Sequence, residues 1–219
     1  MTALPRLILL TDRSQLRLGR GLARTITECV DAGLTHVVVR EHDLPAPARH
    51  ALVGALVGVP GLTVISSRIP DPAAHGLHLP AHAHPAGHFP TGSNAGLWSL
   101  NTRQNTCEAT ITPRYSGGGG LVGRSCHTAA EVRRAADDGA DYVTLSPFAT
   151  TPSKPGYGPP LAAGAYAGHG VPVYALGGIT SDNAAAARDA GAHGVAVMGE
   201  IMRAGDPAAT VARLLEVVG

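Results

Sequence analysis

Residues 7–67 read LILLTDRSQLRLGRGLARTITECVDAGLTHVVVREHDLPAPARHALVGALVGVPGLTVISS, and this stretch decides the fold. It opens on Leu7-Ile8-Leu9-Leu10, an apolar run that ends in Thr11 and Asp12. A short apolar run closed by polar residues predicts a parallel strand buried on both faces. Over residues 18–32, Leu18, Leu22, Ile26 and Val30 recur at every fourth position, which lines one face of a helix, and Gly33 supplies a stop. Thr35-His36-Val37-Val38-Val39-Arg40 predicts a second strand, residues 48–59 a helix ended by Pro60-Gly61, and Leu62-Thr63-Val64-Ile65-Ser66-Ser67 a third strand.

The same rhythm returns in the C-terminal half. Helices are predicted over 129–138, 162–168, 181–190 (capped by Ser181 and stopped by Gly191) and 207–218, with strands over 141–146, 171–176 and 194–198. Alternating strands and helices form a parallel sheet with crossover helices. A closed barrel and an open doubly wound sheet both produce this pattern. The 219 residues suit a compact α/β barrel, and a chain of this length buries a sizeable core without disulfides or metal. Aromatic residues are only 4%, so the core is built from Val, Leu, Ile and Ala, the small branched residues that fill barrel interiors. The expected organisation is one TIM-barrel domain over residues 1–219, with a loop-rich region over 80–120.

That middle region breaks the rhythm. His75, His78, His82, His84 and His88 crowd its start, and Gly117 to Gly120 form an uninterrupted glycine run. One short strand–helix unit and an extended loop are expected here. Neutral imidazoles suit Zn²⁺ or Ni²⁺, but these histidines match no compact ligand motif, so a solvated loop is the expectation and no metal site is predicted. The net charge of +1 and the absence of a basic stripe exclude nucleic acid as a partner. No apolar run is long enough to span a bilayer, and the N-terminus lacks the apolar core of a signal peptide. A cytoplasmic protein is expected, with Cys29, Cys107 and Cys126 as reduced thiols.

Four segments carry candidate chemistry. Ala175-Leu176-Gly177-Gly178-Ile179-Thr180-Ser181 runs from a strand through two glycines to a helix start, and Val195 to Ile201 repeats the form around Gly199. Glycines let backbone N–H groups approach an anion, so Gly177, Gly178 and Gly199 are expected to bind phosphate. Thr151, Ser153 and Lys154 follow a strand and supply hydroxyl and ammonium groups for phosphate oxygens. Gly123-Arg124-Ser125-Cys126-His127-Thr128 places a titratable histidine at a helix start. Arg40 ends an apolar strand, where its charge either pairs with Glu41 or binds an acidic ligand.

In this order the segments resemble the thiamine phosphate synthase superfamily, which includes the TenI-like thiazole tautomerases. The resemblance covers most of the chain. It is carried by Leu10-Thr11-Asp12, Val39-Arg40-Glu41, His75 to Leu79, Gly123 to Thr128, Gly139 to Val143, Thr151 to Gly158, Ala175 to Thr180 and Gly194 to Met198. It implies an α/β barrel and a small phosphorylated thiazole ligand, and a homodimer is an expectation from the resemblance alone. The synthases of this superfamily join a pyrimidine diphosphate to a thiazole phosphate with Mg²⁺ and release pyrophosphate. The tautomerases shift a proton to aromatise a carboxythiazole phosphate and need no metal.

The chain departs from the synthase pattern on one side. His42 stands where a basic residue follows the Arg-Glu pair, Ser66 and Ser67 where an Asn-Asp pair closes the third strand, and Pro80-Ala81-His82-Ala83 where a metal-binding carboxylate is expected. Mg²⁺ prefers oxygen ligands, and histidine nitrogens replace them poorly. The Thr-Pro-Ser-Lys-Pro loop, by contrast, is more like the synthases. Weighing the missing carboxylates most, the sequence predicts a metal-independent isomerase without cofactor. In it His127 moves the proton, Arg40 holds the substrate carboxylate, and Ser125, Thr151, Ser153, Lys154, Gly177, Gly178 and Gly199 complete the ligand site. The alternatives are a divergent synthase, which alone would call for Mg²⁺, and a non-catalytic phosphate-ligand binder.

Overall fold

The computed structural model describes residues 4–17, 19–82, 120–151 and 158–219. Eight parallel strands close into a barrel: β1 (Leu7–Leu10), β2 (His36–Val39), β3 (Thr63–Ser67), β4 (Gly76–Leu79), β5 (Leu121–Cys126), β6 (Tyr142–Leu145), β7 (Val173–Leu176) and β8 (Gly194–Val197). Each strand pairs with its successor, and β8 returns to β1 with Leu7 opposite Val195 and Leu9 opposite Val197. That closure makes a (β/α)8 TIM barrel and excludes the open sheet. The helices are α1 (Leu22–Asp31), α2 (Ala46–Val57), α3 (Ala129–Asp137), α4 (Ala184–Asp189), α5 (Gly199–Met202) and α6 (Pro207–Val218). None of the described helices is long and apolar enough to cross a membrane.

The period-two alternation of each strand divides its side chains between two cores. Leu7, Leu9, Val37, Val39, Val64, Val143, Leu145, Val195 and Val197 point outward and pack with Leu22, Ile26, Val53, Val132, Val211 and Leu214 of the helices. Ile8, Leu10, Val38, Ile65, Tyr142, Tyr174 and Ala196 fill the barrel. The two tyrosine rings meet edge to face at 5.6 Å between centroids. Space for Tyr142 comes from Gly123, where any Cβ would collide with the Tyr142 ring and with His78. A small residue on β5 is therefore required by the large one on β6.

Several boundaries differ from the sequence reading. The helix expected from Ser181 begins at Ala184 instead. The Asn183 side chain accepts from the Thr180 N–H and donates to the Gly178 carbonyl, 2.8 Å each, and so occupies the turn that Ser181 was expected to cap. Ser181 Oγ is buried without a partner. The helix predicted over 162–168 reduces to a single 3-10 turn at Ala163–Tyr166, flanked by Gly168 at φ 74°. Strand β5 escaped the periodicity because its inward residues Gly123 and Ser125 are not apolar, and half-buried Val122 is the only apolar residue inside the run between Leu121 and Cys126.

The histidine-rich region is not wholly a loop. His75 precedes β4 and its Nδ1 accepts from the Val64 N–H at 2.9 Å, while His78 lies on β4 itself. Both are held by the barrel, so the solvated-loop expectation fails for them. His84, His88 and Cys107 lie outside the described residues, as do 83–119 as a whole. Cys29 and Cys126 are buried free thiols.

Candidate functional site

The C-terminal ends of the strands surround one cavity of about 540 Å³. Side chains that point into the barrel continue upward into its walls. On β2 and beyond, Val38 and Arg40 alternate inward; on β5, Ser125 and then His127; on β6, Thr144 and then Ser146. The local alternation thus decides which rim residues face the ligand space.

One side of the cavity is made of backbone. After β7, Gly177 and Gly178 adopt φ of 92° and 67°, the left-handed region that glycine enters without steric cost. A Cβ on Gly178 would come within 2.6 Å of the carbonyls of Thr150 and Ala149. The loop after β6 is bound to this turn, with Phe148 N–H donating to the Leu176 carbonyl and Ala149 N–H to the Gly177 carbonyl, both at 2.9 Å. Thr151 follows at the cavity wall. Beyond β8, Gly199 opens α5, and the guanidinium of Arg203, one helical turn later, lies where a Gly199 side chain would be. Arg203 also donates to Gln15 Oε1.

The facing side is made of side chains. Arg40 N–H donates to Thr11 Oγ1 at 2.9 Å, and its guanidinium lies against Met198 Sδ. Glu41 turns away from Arg40; it is buried and pairs with Arg13 at 2.8 Å. The Arg40–Glu41 bridge is therefore absent, and among the described residues Arg40 makes no ion pair. Arg68 follows Ser67 with φ 61°, an unusual backbone for a residue with a Cβ, and its side chain reaches the same cavity.

Beneath them runs a polar column. His78 Nδ1 lies 3.1 Å from Tyr142 Oη and Nε2 lies 3.0 Å from Ser125 Oγ. Burial, with smaller contributions from the charges of Arg40 and Arg68, pushes the imidazole down to about 4, so it is neutral near pH 7. It therefore bridges the two hydroxyls with a single N–H. His127 stands beside Ser125 on the same face, its Nδ1 3.1 Å from Ser146 Oγ and 3.3 Å from the Ser146 carbonyl. Its main-chain N–H donates to Glu131 at 2.6 Å, next to the Thr128–Glu131 capping box that starts α3. Cys126, between Ser125 and His127, faces the helices, and burial pushes its thiol up to about 12.

Arg40, Ser125, His127, Thr151, Gly177, Gly178 and Gly199 all line this cavity, although they come from five different strand ends. Ser153 and Lys154 lie outside the described residues. Sequence reasoning passed over Arg68 and Arg203, and it weighed His78 only as a metal ligand. The His75–Leu79 motif contained the signal for His78, and the four-residue spacing from Gly199 that for Arg203.

Carboxylates are sparse here. Asp12 and Glu200 line the cavity. Burial raises the Asp12 pKa, but hydrogen bonds from Ser14 and Gln15, aided by Arg40, outweigh it and keep the carboxyl ionised below its usual range. Its oxygens are engaged by Ser14 Oγ and Gln15 Nε2, each at 2.6 Å. The described residues contain no group of three metal-ligating side chains.

A family model described as thiamine monophosphate synthase matches residues 99–201. A thiamine-phosphate synthase of a Roseiflexus species, strain RS-1, is 32% identical over 89% of this chain and 79% of its own length. That of Roseiflexus castenholzii is 30% identical over 90% of this chain and 82% of its own. Among solved structures, a thiamine phosphate pyrophosphorylase from Pyrococcus furiosus superposes with a TM-score of 0.73 over 97% of this chain and 95% of its own, at 19% identity, which bears on the fold. These relatives overturn the isomerase expectation, because they are named for a transferase. The missing carboxylates on which that expectation rested concern how the charge of a diphosphate is met, not which bond is made. With the isomerase goes the assignment of His127 as its proton shuttle.

Proposed function

Because the chain belongs to the thiamine monophosphate synthase family, we propose that it joins a pyrimidine diphosphate to a thiazole phosphate and releases pyrophosphate. The observation that carries this reading is the cavity at the C-terminal strand ends, on which cationic side chains and glycine turns converge from facing sides. Its volume, about 540 Å³, lies within the usual range for small-molecule sites.

In this reaction the thiazole nitrogen forms a bond to the methylene carbon of the pyrimidine. The bond from that carbon to the diphosphate oxygen breaks, and pyrophosphate leaves with the electron pair. The thiazole phosphate lies on the Gly177–Gly178 turn and Gly199, helped by Thr151. Arg40 and Arg68 face the diphosphate and stabilise the negative charge that grows on the departing oxygen. Charge stabilisation of this kind strengthens as the transition state forms. Ser125, oriented by the neutral His78, and His127 hydrogen-bond the ring between the two anionic ends.

The Mg²⁺ that the family resemblance implies does not fit the described donors. Ser66 Oγ donates to the Ile69 carbonyl at 2.5 Å, Ser67 is a neutral hydroxyl, and His82 offers a nitrogen. Asp12 is engaged by its neighbours, and Glu200 is the other carboxylate at the cavity, with no group of three metal-ligating side chains among the described residues. No step is therefore routed through a metal. The test is coupling of the two substrates by purified protein, with Mg²⁺ and with a chelator. Thiamine phosphate and pyrophosphate in equal amounts are the expected products, and their absence under both conditions overturns the reading.

A further inference from the structure

The N-terminal end of the barrel, opposite the proposed reaction, carries a second cavity of about 490 Å³. Arg6 before β1, Arg188 of α4, His193 before β8 and the Gly168-His169-Gly170 loop line it. We propose that this cavity is a binding site for a phosphate-like oxyanion, separate from the catalytic rim.

Two cations converge on one oxygen. Arg6 Nη1 donates to the His193 carbonyl at 2.7 Å, and Arg188 Nη1 donates to the same oxygen at 2.7 Å. Like charges held this close repel, and only an anion between them offsets that repulsion. None does: among the described residues neither arginine makes an ion pair. Arg188 also donates to the carbonyls of Ala192 and Val218, which lie just beyond the ends of α4 and at the end of α6. The negative end of a helix amounts to roughly half a charge, and here such ends are set against two full ones. A net positive field remains in the cavity.

The donors that would hold an anion are present. Among the described residues, Nε and Nη2 of Arg6 and Nη2 of Arg188 make no hydrogen bond, and they are not among the sealed, unpartnered polar atoms of the interior. Both side chains line the cavity. The Nε–Nη2 edge of Arg6 offers a parallel N–H pair that matches a tetrahedral oxyanion, and Arg188 adds Nη2. The frame is also rigid. Arg6 Nη1 donates to His193 Nδ1 at 3.0 Å, so His193 carries its proton on Nε2, directed at the Leu4 carbonyl 3.3 Å away. The His193 ring packs edge-on against Tyr174 at 5.3 Å, and Tyr174 Oη donates to the Pro5 carbonyl at 2.5 Å. Little side-chain ordering is left to oppose binding.

The test uses the full chain, inorganic phosphate as the probe, and the Nε–H resonances of Arg6 and Arg188 as the readout. Both are expected to shift saturably, and Arg6→Gln is expected to weaken the Arg188 response at least roughly tenfold. This readout is independent of the coupling reaction, because phosphate at the catalytic rim moves the Gly177 and Gly178 amides instead. Resonances of Arg6 and Arg188 that stay still while the rim responds overturn the proposal. So does an unchanged midpoint in Arg6→Gln. If that variant does not fold, crystals of the unmodified protein soaked in phosphate decide it: an ion between the two guanidiniums supports the site, and none overturns it.

Discussion

The two sides of the cavity at the C-terminal rim are built in opposite ways. Around β7 and β8 the wall is backbone: Gly177 and Gly178 hold left-handed conformations, and the loop after β6 is hydrogen-bonded directly onto them. Around β2 to β5 the wall is side chain: Arg40, Arg68, Ser125 and the buried His78 beneath them. A backbone wall tolerates almost no substitution but needs no particular side chain. A side-chain wall keeps its fold under substitution and loses chemistry instead. The difference also bears on where the chain departs from the synthase pattern that its motifs resemble. Ser67 and His82 belong to the side-chain wall, where a carboxylate can be exchanged without disturbing the barrel, while Ser66 lies on the outward face of β3 and binds the Ile69 carbonyl.

This contrast is open to direct attack. The largest effect is expected from Gly178→Val. Forcing a branched residue to φ 67° against the Thr150 and Ala149 carbonyls should cost roughly 2–4 kcal/mol and remove coupling activity together with stability. Denaturant unfolding and an assay on the same sample check it; a stable, active variant would break the distinction between the walls. Arg40→Gln should do the reverse, lowering kcat/KM by about 10²-fold while the melting temperature stays nearly constant. Steady-state kinetics alongside thermal unfolding tests that pair of outcomes.

A third, smaller effect lies in the interior beneath the side-chain wall. His78 and His36 are both held at about 4 by burial, against an ordinary value of 6.5. Between those values the unfolded chain binds more protons than the folded one, so stability is full above pH 6.5 and declines as pH falls toward 4. Each histidine contributes a slope of up to about 1.4 kcal/mol per pH unit in that window. His36→Gln should flatten the measured stability–pH curve there and leave it unchanged above pH 7. The smallest effect is expected for Thr144→Val. Thr144 Oγ1 is buried without a partner, so replacing the hydroxyl by a methyl group should stabilise the chain by about 1 kcal/mol. A loss of stability would mean that the hydroxyl is satisfied by something in the cavity.

Much of this was legible in the sequence, for local reasons. The outward-facing residues of β1, β2 and β3 and the buried face of α1 follow from periodicities within a few residues. The glycine turns were readable because φ above zero is a local demand. The failures were non-local. Strand β5 was hidden because Gly123 exists to make room for Tyr142, a residue on the next strand. Ser181 was assigned a cap that Asn183 preempts by binding both Thr180 and Gly178. The isomerase expectation failed because absent carboxylates on one wall were made to stand for the whole reaction.

By itself, then, the sequence determined the alternation of buried strands and amphipathic helices and the residue types offered at each strand end. Only the tertiary structure decided that the sheet closes, because closure rests on the pairing of Leu7 with Val195, which no local pattern encodes. Closure in turn brings Arg40, Ser125, His127 and the glycine turns around one cavity and leaves Arg6 and Arg188 sharing one oxygen at the other end. Which charges face one another is a property of the folded chain, because Coulomb energy depends on distance in space and not along the sequence.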